Sequence, residues 1–99
     1  MAFRIDWTEV ALSDLQETVR FIAGDNPQAA KRFGNLIVER IEGISTLPFS
    51  ARMVPEKNDE NIREIILRPY RLVLEIDSVR QVVHVLRIWH SSRGTPEIR

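Results

Sequence analysis

The spacing of hydrophobic residues changes along the chain. Residues 3–7 alternate apolar and charged or polar side chains, which is typical of a half-buried strand. Thr8 favours the start of a helix. After it, apolar residues recur at steps of three and four, namely Leu12, Leu15, Val19 and Ile22. This spacing predicts an amphipathic helix that ends near Gly24, with a polar side that carries Asp14, Glu17 and Arg20.

A second helix is predicted to begin at Asn26 and Pro27, because Asn can cap a helix and Pro suits the first helical position. Its apolar positions keep the helical spacing, at Ala30, Phe33, Ile37, Ile41 and Ile44. Pro48 cannot continue this helix. The two helices are therefore expected to form an αα-hairpin with a tight turn.

The second half of the sequence has the character of β-structure. Residues 45–61 are rich in polar residues and prolines, and they predict a long surface loop. Three strands are predicted after it, at about 62–68, 70–77 and 81–90. The turns between these strands are short, at residues 68–69 and 77–80, and strands joined by short turns pair antiparallel. The predicted fold is α+β, with an N-terminal strand and an αα-hairpin packed on a mostly antiparallel four-stranded sheet (β-α-α-β-β-β).

The middle predicted strand has two different faces. One face carries Leu72, Leu74 and Ile76, and the other carries Arg71, Val73 and Glu75. We expect the helical hairpin to cover the apolar face. Arg71 would then lie on the open face or at its edge, where it could reach a partner or pair with Glu75.

Composition narrows the class of protein. A chain of 99 residues can bury one modest core, so we expect a single domain over residues 1–99. Apolar runs are too short to span a membrane, and the N-terminus lacks the apolar stretch of a secretory signal. We therefore expect a cytoplasmic protein. The absence of cysteine and the wide spacing of His84 and His90 argue against a metal site, and we expect no cofactor.

Positive charge is concentrated near the C-terminus. The net charge is zero, which argues against a protein that coats nucleic acid through its overall field. Residues 61–99 nevertheless contain seven arginines and four acidic residues, a net charge of +3 that leaves −3 for the remainder. Arginine suits carboxylates and phosphates. We expect any contact with an anionic partner to be local to this segment.

Several short motifs along the chain identify a family. They include residues 7–9 (Trp-Thr-Glu), 25–27 (Asp-Asn-Pro), 62–64 (Ile-Arg-Glu), 69–73 (Pro-Tyr-Arg-Leu-Val) and 85–90 (Val-Leu-Arg-Ile-Trp-His) with Arg93. In this order the motifs resemble the RelE/ParE superfamily of toxins from bacterial type II toxin–antitoxin modules, over nearly the whole chain. The resemblance implies a cognate antitoxin as partner, in a hetero-oligomer, and a role such as plasmid stabilization.

The resemblance implies two possible activities, because some members cut mRNA on the ribosome and ParE-like members poison DNA gyrase. A metal-independent endoribonuclease would use Arg71, His90 and Arg93, with His90 transferring protons and the arginines holding the phosphate. His90 could instead simply hydrogen-bond neighbouring backbone. RelE-like nucleases carry lysines at the positions that align here with Glu64 and Ile66, and a glutamate there would repel RNA.

The missing lysines favour the ParE-like branch, in which gyrase is inhibited without any bond being broken by the toxin. An inactive family member, serving only as antitoxin partner or co-repressor, is the third possibility. The residues expected to contact the target or the antitoxin are Arg63, Arg68, Arg71, Arg87 and Arg93. The antitoxin could add a strand to a sheet edge or lay a helix in the groove between the hairpin and the sheet.

Overall fold

A computed structural model of the protein describes residues 2–98. Its regular elements are, in chain order, β1 (Arg4–Trp7), α1 (Glu9–Ala23), α2 (Pro27–Gly43), β2 (Arg52–Met53), β3 (Ile62–Leu67), β4 (Tyr70–Asp77) and β5 (Val82–His90). Short 3-10 helices occupy Pro48–Ser50 and Ser91–Arg93. The predicted α+β fold and order of elements are confirmed.

The strands form one sheet in the order β1-β5-β4-β3-β2. β1 pairs with β5 in parallel, and the other neighbours pair antiparallel. The sheet has five strands where four were predicted, because residues 52–53 of the predicted loop pair with Arg63 and Glu64 of β3. Two residues are too few to give a periodic sequence pattern, so this edge strand is defined only by its pairing.

Both helices begin with the predicted caps. The backbone N–H of Ala11 donates to Thr8 Oγ1 at 3.1 Å, and that of Ala29 donates to Asn26 Oδ1 at 3.0 Å. Each bond satisfies a donor that the first helical turn leaves without a partner inside the helix. Pro27 opens α2, as predicted. The chain reverses between the helices within residues 24–26, so the αα-hairpin is confirmed.

The main core lies between the helices and one face of the sheet. Its central residues are Leu72, Leu74 and Ile76 of β4 and Ile37 and Ile41 of α2, all at most 2% exposed. The apolar face predicted for the middle strand is therefore the face that the hairpin covers. Burial of these side chains is the main favourable term for the fold.

The predicted inner face of α1 is only partly right. Leu12 was expected to be buried, and it is 45% exposed, whereas Asp14 was placed on the polar side, and it is only 9% exposed. The buried positions of α1 are Ala11, Asp14 and Thr18, which also follow a helical spacing. Hydrophobicity alone gave the wrong rotation of the helix, because Asp14 is buried by hydrogen bonds to β5.

A smaller apolar cluster covers part of the opposite face of the sheet. It consists of Val54, Ile62, Val73 and Leu86, with Ile98 packed against them. The segment after β2 and the C-terminal residues therefore cross the face that was expected to be open. None of the helices in residues 2–98 has the length and apolar character needed to cross a membrane.

A β-bulge interrupts the pairing of β4 with β5. Val73 pairs with Arg87, but the next residue, Leu74, pairs with Val85, so Leu86 is an extra residue in β5. An extra residue reverses which side chains face the core from that point on. Val85 and Ile88, three residues apart, consequently both lie in the main core.

Candidate functional site

Arg71 lies on the sheet face opposite the helices, but two carboxylates enclose it. Its Nε donates to Glu64 Oε1 at 2.7 Å. Its Nη1 and Nη2 donate to the two carboxylate oxygens of Glu56 at 2.9 and 2.7 Å. The Arg71 side chain is 11% exposed as a result. The two parallel hydrogen bonds from Arg71 to Glu56 form the bidentate arrangement that is among the strongest that an arginine makes.

Glu64 links Arg71 to a second arginine. Its side chain is fully buried, and its Oε2 lies 2.8 Å from Arg52 Nε. This contact is an ion pair without hydrogen-bond alignment, because Oε2 has no hydrogen-bond partner within residues 2–98. We call Arg52, Glu56, Glu64 and Arg71 the Arg71 cluster. The formal charges of its two arginines and two glutamates sum to zero.

Hydrogen bonding fixes the charged forms in the Arg71 cluster. The hydrogen bonds from Arg71 lower the pKa of Glu56 to about 2, from an ordinary value of 4.5. The pKa of Arg71 is raised above its ordinary value, first by the hydrogen bonds to Glu56 and then by that to Glu64. Glu56 and Arg71 are therefore both ionised at neutral pH.

His90 lies on the other face of the sheet from Arg71. Its ring meets that of Tyr70 edge to face, with 5.0 Å between the centroids, and Tyr70 belongs to the main core. The backbone N–H of Ser92 donates to His90 Nδ1 at 3.1 Å, and Ser92 Oγ lies 2.7 Å from the same atom. This is the local hydrogen bonding considered as the alternative to catalysis. The sheet therefore separates His90 from Arg71, whereas His90 and Arg93 line the same cleft. Of the predicted catalytic set, the structure brings together His90 and Arg93 and leaves Arg71 on the other face.

Arg87 is engaged with α1. Its Nε and Nη2 donate to the carboxylate of Asp14 at 2.8 and 3.1 Å, and its Nη1 donates to the Glu97 carbonyl at 2.8 Å. Hydrogen bonding to Asp14 raises the pKa of Arg87. Asp14 also accepts the backbone N–H of Ile88 at 3.0 Å. β1 pairs with residues 82–85 of β5 and does not reach Ile88. Asp14 of α1 therefore accepts the Ile88 N–H that a neighbouring strand would otherwise accept.

Arg93 and Arg68 are exposed at one end of the sheet. The Arg93 guanidinium lies 4.2 Å from the centre of the buried Trp89 ring, a cation–π contact. The backbone N–H of Ser91 donates to the Pro69 carbonyl at 2.8 Å, so the turn that carries Arg68 lies beside the 3-10 helix that carries Arg93. Arg93 and Phe21, which is 81% exposed, line a cleft of about 220 Å³. We call Arg68, Arg93 and Phe21 the Arg68–Arg93 end.

Arg63 holds the segment around β2 in place. Its Nε donates to the Glu60 carbonyl at 2.7 Å, and its Nη1 donates to the carbonyls of Phe49 and Ala51 at 2.9 and 3.0 Å. The guanidinium also lies 5.0 Å from the centre of the Phe49 ring. Of the five arginines predicted to contact a partner, Arg63, Arg71 and Arg87 are thus engaged within the fold, and Arg68 and Arg93 are exposed.

His84 pairs with the neighbouring strand. Its Nδ1 lies 2.8 Å from Asp6 Oδ2, since parallel pairing places Asp6 of β1 opposite His84 of β5. His84 thus has a polar partner within the sheet. Within residues 2–98, no group of three or more His, Asp or Glu side chains is arranged to hold a metal ion.

Three residues that shape these sites were missed from the sequence: Arg52, Glu56 and Asp14. Arg52 and Glu56 lie in the predicted loop, where charged residues are usual and nothing local indicates a partner. Asp14 had one signal, because it lies three residues after Ala11 and four before Thr18, on a consistent helical face. An acid on such a face is buried when a cation meets it, and that cation, Arg87, lies 73 residues away in the sequence.

Comparison with known proteins gives a family match and several similar folds. The family model of the ParE toxin of type II toxin-antitoxin systems, parDE, matches residues 5–94. No curated protein matches the chain.

Among solved structures, the chromosomal ParDE system from P. aeruginosa contains a chain that is 18% identical, with a TM-score of 0.72, over 90% of this chain and 96% of that one. A chain of the RelBE2 toxin-antitoxin complex from Mycobacterium tuberculosis is 20% identical, with a TM-score of 0.66, over 91% and 99%. A free RelE mutant from E. coli is 22% identical, with a TM-score of 0.61, over 95% and 88%. At these identities the likeness concerns the fold.

Proposed function

This chain belongs to the ParE toxin family of type II toxin–antitoxin systems, and from that premise we propose that it inhibits DNA gyrase and breaks no bond itself. The proposal selects one of the two activities found in the RelE/ParE superfamily. The choice rests on residues, because members of one fold can differ in activity.

The observation that carries the proposal is the enclosure of Arg71 by Glu64 and Glu56. Cleavage of RNA without a metal needs cations that stabilise the charged transition state and a group that transfers a proton, all around one phosphate. Of the two candidate cations, Arg71 is already neutralised by two carboxylates, and only Arg93 lies in a cleft with His90. The candidate proton-transfer group, His90, lies on the opposite face, against Tyr70. This arrangement supports a binding protein over a nuclease.

We assign the contact with gyrase to the Arg68–Arg93 end. Arg68 and Arg93 are exposed, whereas Arg63, Arg71 and Arg87 are engaged within the fold. Phe21 adds a large exposed apolar side chain beside Arg93. Phenylalanine and arginine are both enriched at protein interfaces, and arginine is also enriched among the residues that dominate binding energy there.

We further propose that an antitoxin neutralises the toxin by binding it directly, in a hetero-oligomer. Action on gyrase places the toxin in the cytoplasm and gives the module a role in stabilising the replicon that encodes it. A segment of the antitoxin would fold on the toxin as it binds, which is a common behaviour of disordered partners.

The test compares the two activities directly. Purified, antitoxin-free protein is added to gyrase in a plasmid supercoiling and cleavage assay, and in parallel to ribosomes translating a defined mRNA. We expect loss of supercoiling with an intact message. A cut message with normal supercoiling would contradict the proposal, and loss of that cleavage in His90→Ala would then identify a nuclease. A chain that affects neither assay and does not slow growth on overexpression would be an inactive family member.

A further inference from the structure

Glu56 covers Arg71 from a segment without regular structure. It lies between β2 and β3, in a turn that is closed by the hydrogen bond from the Lys57 N–H to the Val54 carbonyl. The Val54 N–H donates in turn to the Ile62 carbonyl. Val54 is buried, but the Glu56 side chain is 34% exposed. The contact with Arg71 can therefore open by rotation of the Glu56 side chain, which leaves this turn and the cluster around Val54 intact.

Opening of this contact would leave a positive site. Glu64 stays between Arg52 and Arg71, because it is fully buried. Two arginines with one glutamate carry a net charge of +1. The Nη1 and Nη2 atoms of Arg71, which now bind Glu56, would then point to solvent as a free planar fork. Such a fork matches the two oxygens of one carboxylate or one phosphate.

The surroundings select a carboxylate of a protein over a nucleic-acid backbone. Asp59 and Glu60 lie in the segment that carries Glu56, and both are exposed. A polyanion with a charge at every nucleotide would meet these acids in the segment beside the cationic site. One acidic side chain on a protein segment needs only the one fork.

We propose that Glu56 occupies the binding site of an acidic side chain of the antitoxin, which replaces Glu56 on Arg71 Nη1 and Nη2 when the complex forms. This inference rests on the proposed function, because its partner is the antitoxin. Glu56 then acts as an internal competitor. The apparent affinity for the antitoxin equals the intrinsic affinity multiplied by the fraction of molecules in which the fork is free.

The test removes the competitor and leaves Arg71 and Glu64 in place. The probe is the cognate antitoxin, titrated into the purified toxin by calorimetry. We expect Glu56→Gln to lower the Kd about fivefold. A neutral amide binds Nη1 and Nη2 of Arg71 more weakly, so these atoms are free in a larger fraction of molecules. Glu60→Gln is the matched control, since it makes the same charge change in the same segment and only the Glu60 backbone contacts Arg63. Its Kd should stay near that of the wild type.

A double-mutant cycle locates the effect on Arg71. Arg71→Lys keeps a cation beside Glu64 but cannot make two parallel hydrogen bonds. We expect it to weaken antitoxin binding about tenfold and to abolish the gain from Glu56→Gln, as coupled residues do. Equal Kd values for Glu56→Gln and Glu60→Gln would overturn the inference and leave the proposed function standing. A toxin that inhibits gyrase but binds no antitoxin would overturn the inference as well, and one that does neither would overturn both proposals.

Discussion

Glu64 and Arg71 form an ion pair at 2.7 Å on the sheet face away from the helices, with the glutamate fully buried beneath the arginine. Glu64 occupies a strand position that the family resemblance aligns with a lysine of RelE-like nucleases. A lysine there would add to the positive charge of Arg71, whereas the glutamate cancels it. The pair therefore links one of the two aligned differences, Glu64, to the proposal that the protein is not a nuclease.

Because of this ion pair, we expect neutralisation of Glu64 to lower the stability of the fold strongly. Glu64→Gln should lower the free energy of unfolding by about 3 kcal/mol, because it removes one buried partner and leaves Arg52 and Arg71 without their shared charge. Urea denaturation at pH 7 measures the change. Glu60→Gln, at an exposed position, should change the stability by about 0.5 kcal/mol or less. Equal stabilities of the two variants would mean that the buried pair contributes nothing to the fold.

The contact between Glu56 and Arg71 predicts a pH dependence. The pKa of Glu56 is lowered to about 2 in the folded protein, from 4.5. A lowered carboxyl pKa gives stability that is complete above pH 4.5 and is lost as the pH falls towards 2. Above pH 5, the free energy of unfolding of the wild type should exceed that of Glu56→Gln by about 1 kcal/mol. This value is modest because solvent screens the partly exposed pair.

The two proteins should converge in stability as the pH approaches 2. Urea unfolding at a series of pH values measures this difference. A difference that stayed constant from pH 6 to pH 2.5 would show that protonation of Glu56 is not its origin.

The carboxylate of Asp14 predicts a second site of high sensitivity. Asp14→Ala should lower the free energy of unfolding by about 2–4 kcal/mol, since it leaves the buried N–H of Ile88 and the guanidinium of Arg87 without their acceptor. Asp14→Asn keeps an acceptor oxygen and should cost less. Glu17→Gln is the control, because Glu17 lies in the next turn of α1 and is exposed. A loss in Glu17→Gln as large as that in Asp14→Ala would indicate a general charge effect on the helix.

The Arg68–Arg93 end predicts a loss of activity without a loss of fold. The double variant Arg68→Ala, Arg93→Ala should require at least about tenfold more protein for the same gyrase inhibition, because two exposed arginines at an interface can together contribute more than 1.4 kcal/mol. Its free energy of unfolding should fall by no more than about 1 kcal/mol, the contribution of the exposed cation–π contact between Arg93 and Trp89. Arg80→Ala is the matched control, since Arg80 is exposed in the turn at the opposite end of β4 and β5. Full inhibition by the double variant would move the target contact elsewhere on the surface.

Much of the fold was predictable from local sequence patterns. The caps at Thr8 and Asn26 and the apolar alternation around Leu74 each depend on residues within a few positions of one another, and the structure contains them as predicted. Alternation and helical spacing are local properties of the backbone, so a sequence displays them directly. The family motifs in turn agree with the match of the family model over residues 5–94.

The sequence by itself determined the element order, the helix starts and the apolar face of the sheet. Only the tertiary structure decided which charged groups meet, because pairs such as Asp14 with Arg87 join residues far apart in the chain. The bulge at Leu86 was also decided only by the tertiary structure, since a residue of β5 is extra only in relation to its partner strand. That bulge directs His90 to the helical face and Trp89 to the face of Arg71. Strand register, a property of two segments together, thus separated the residues that the sequence had grouped.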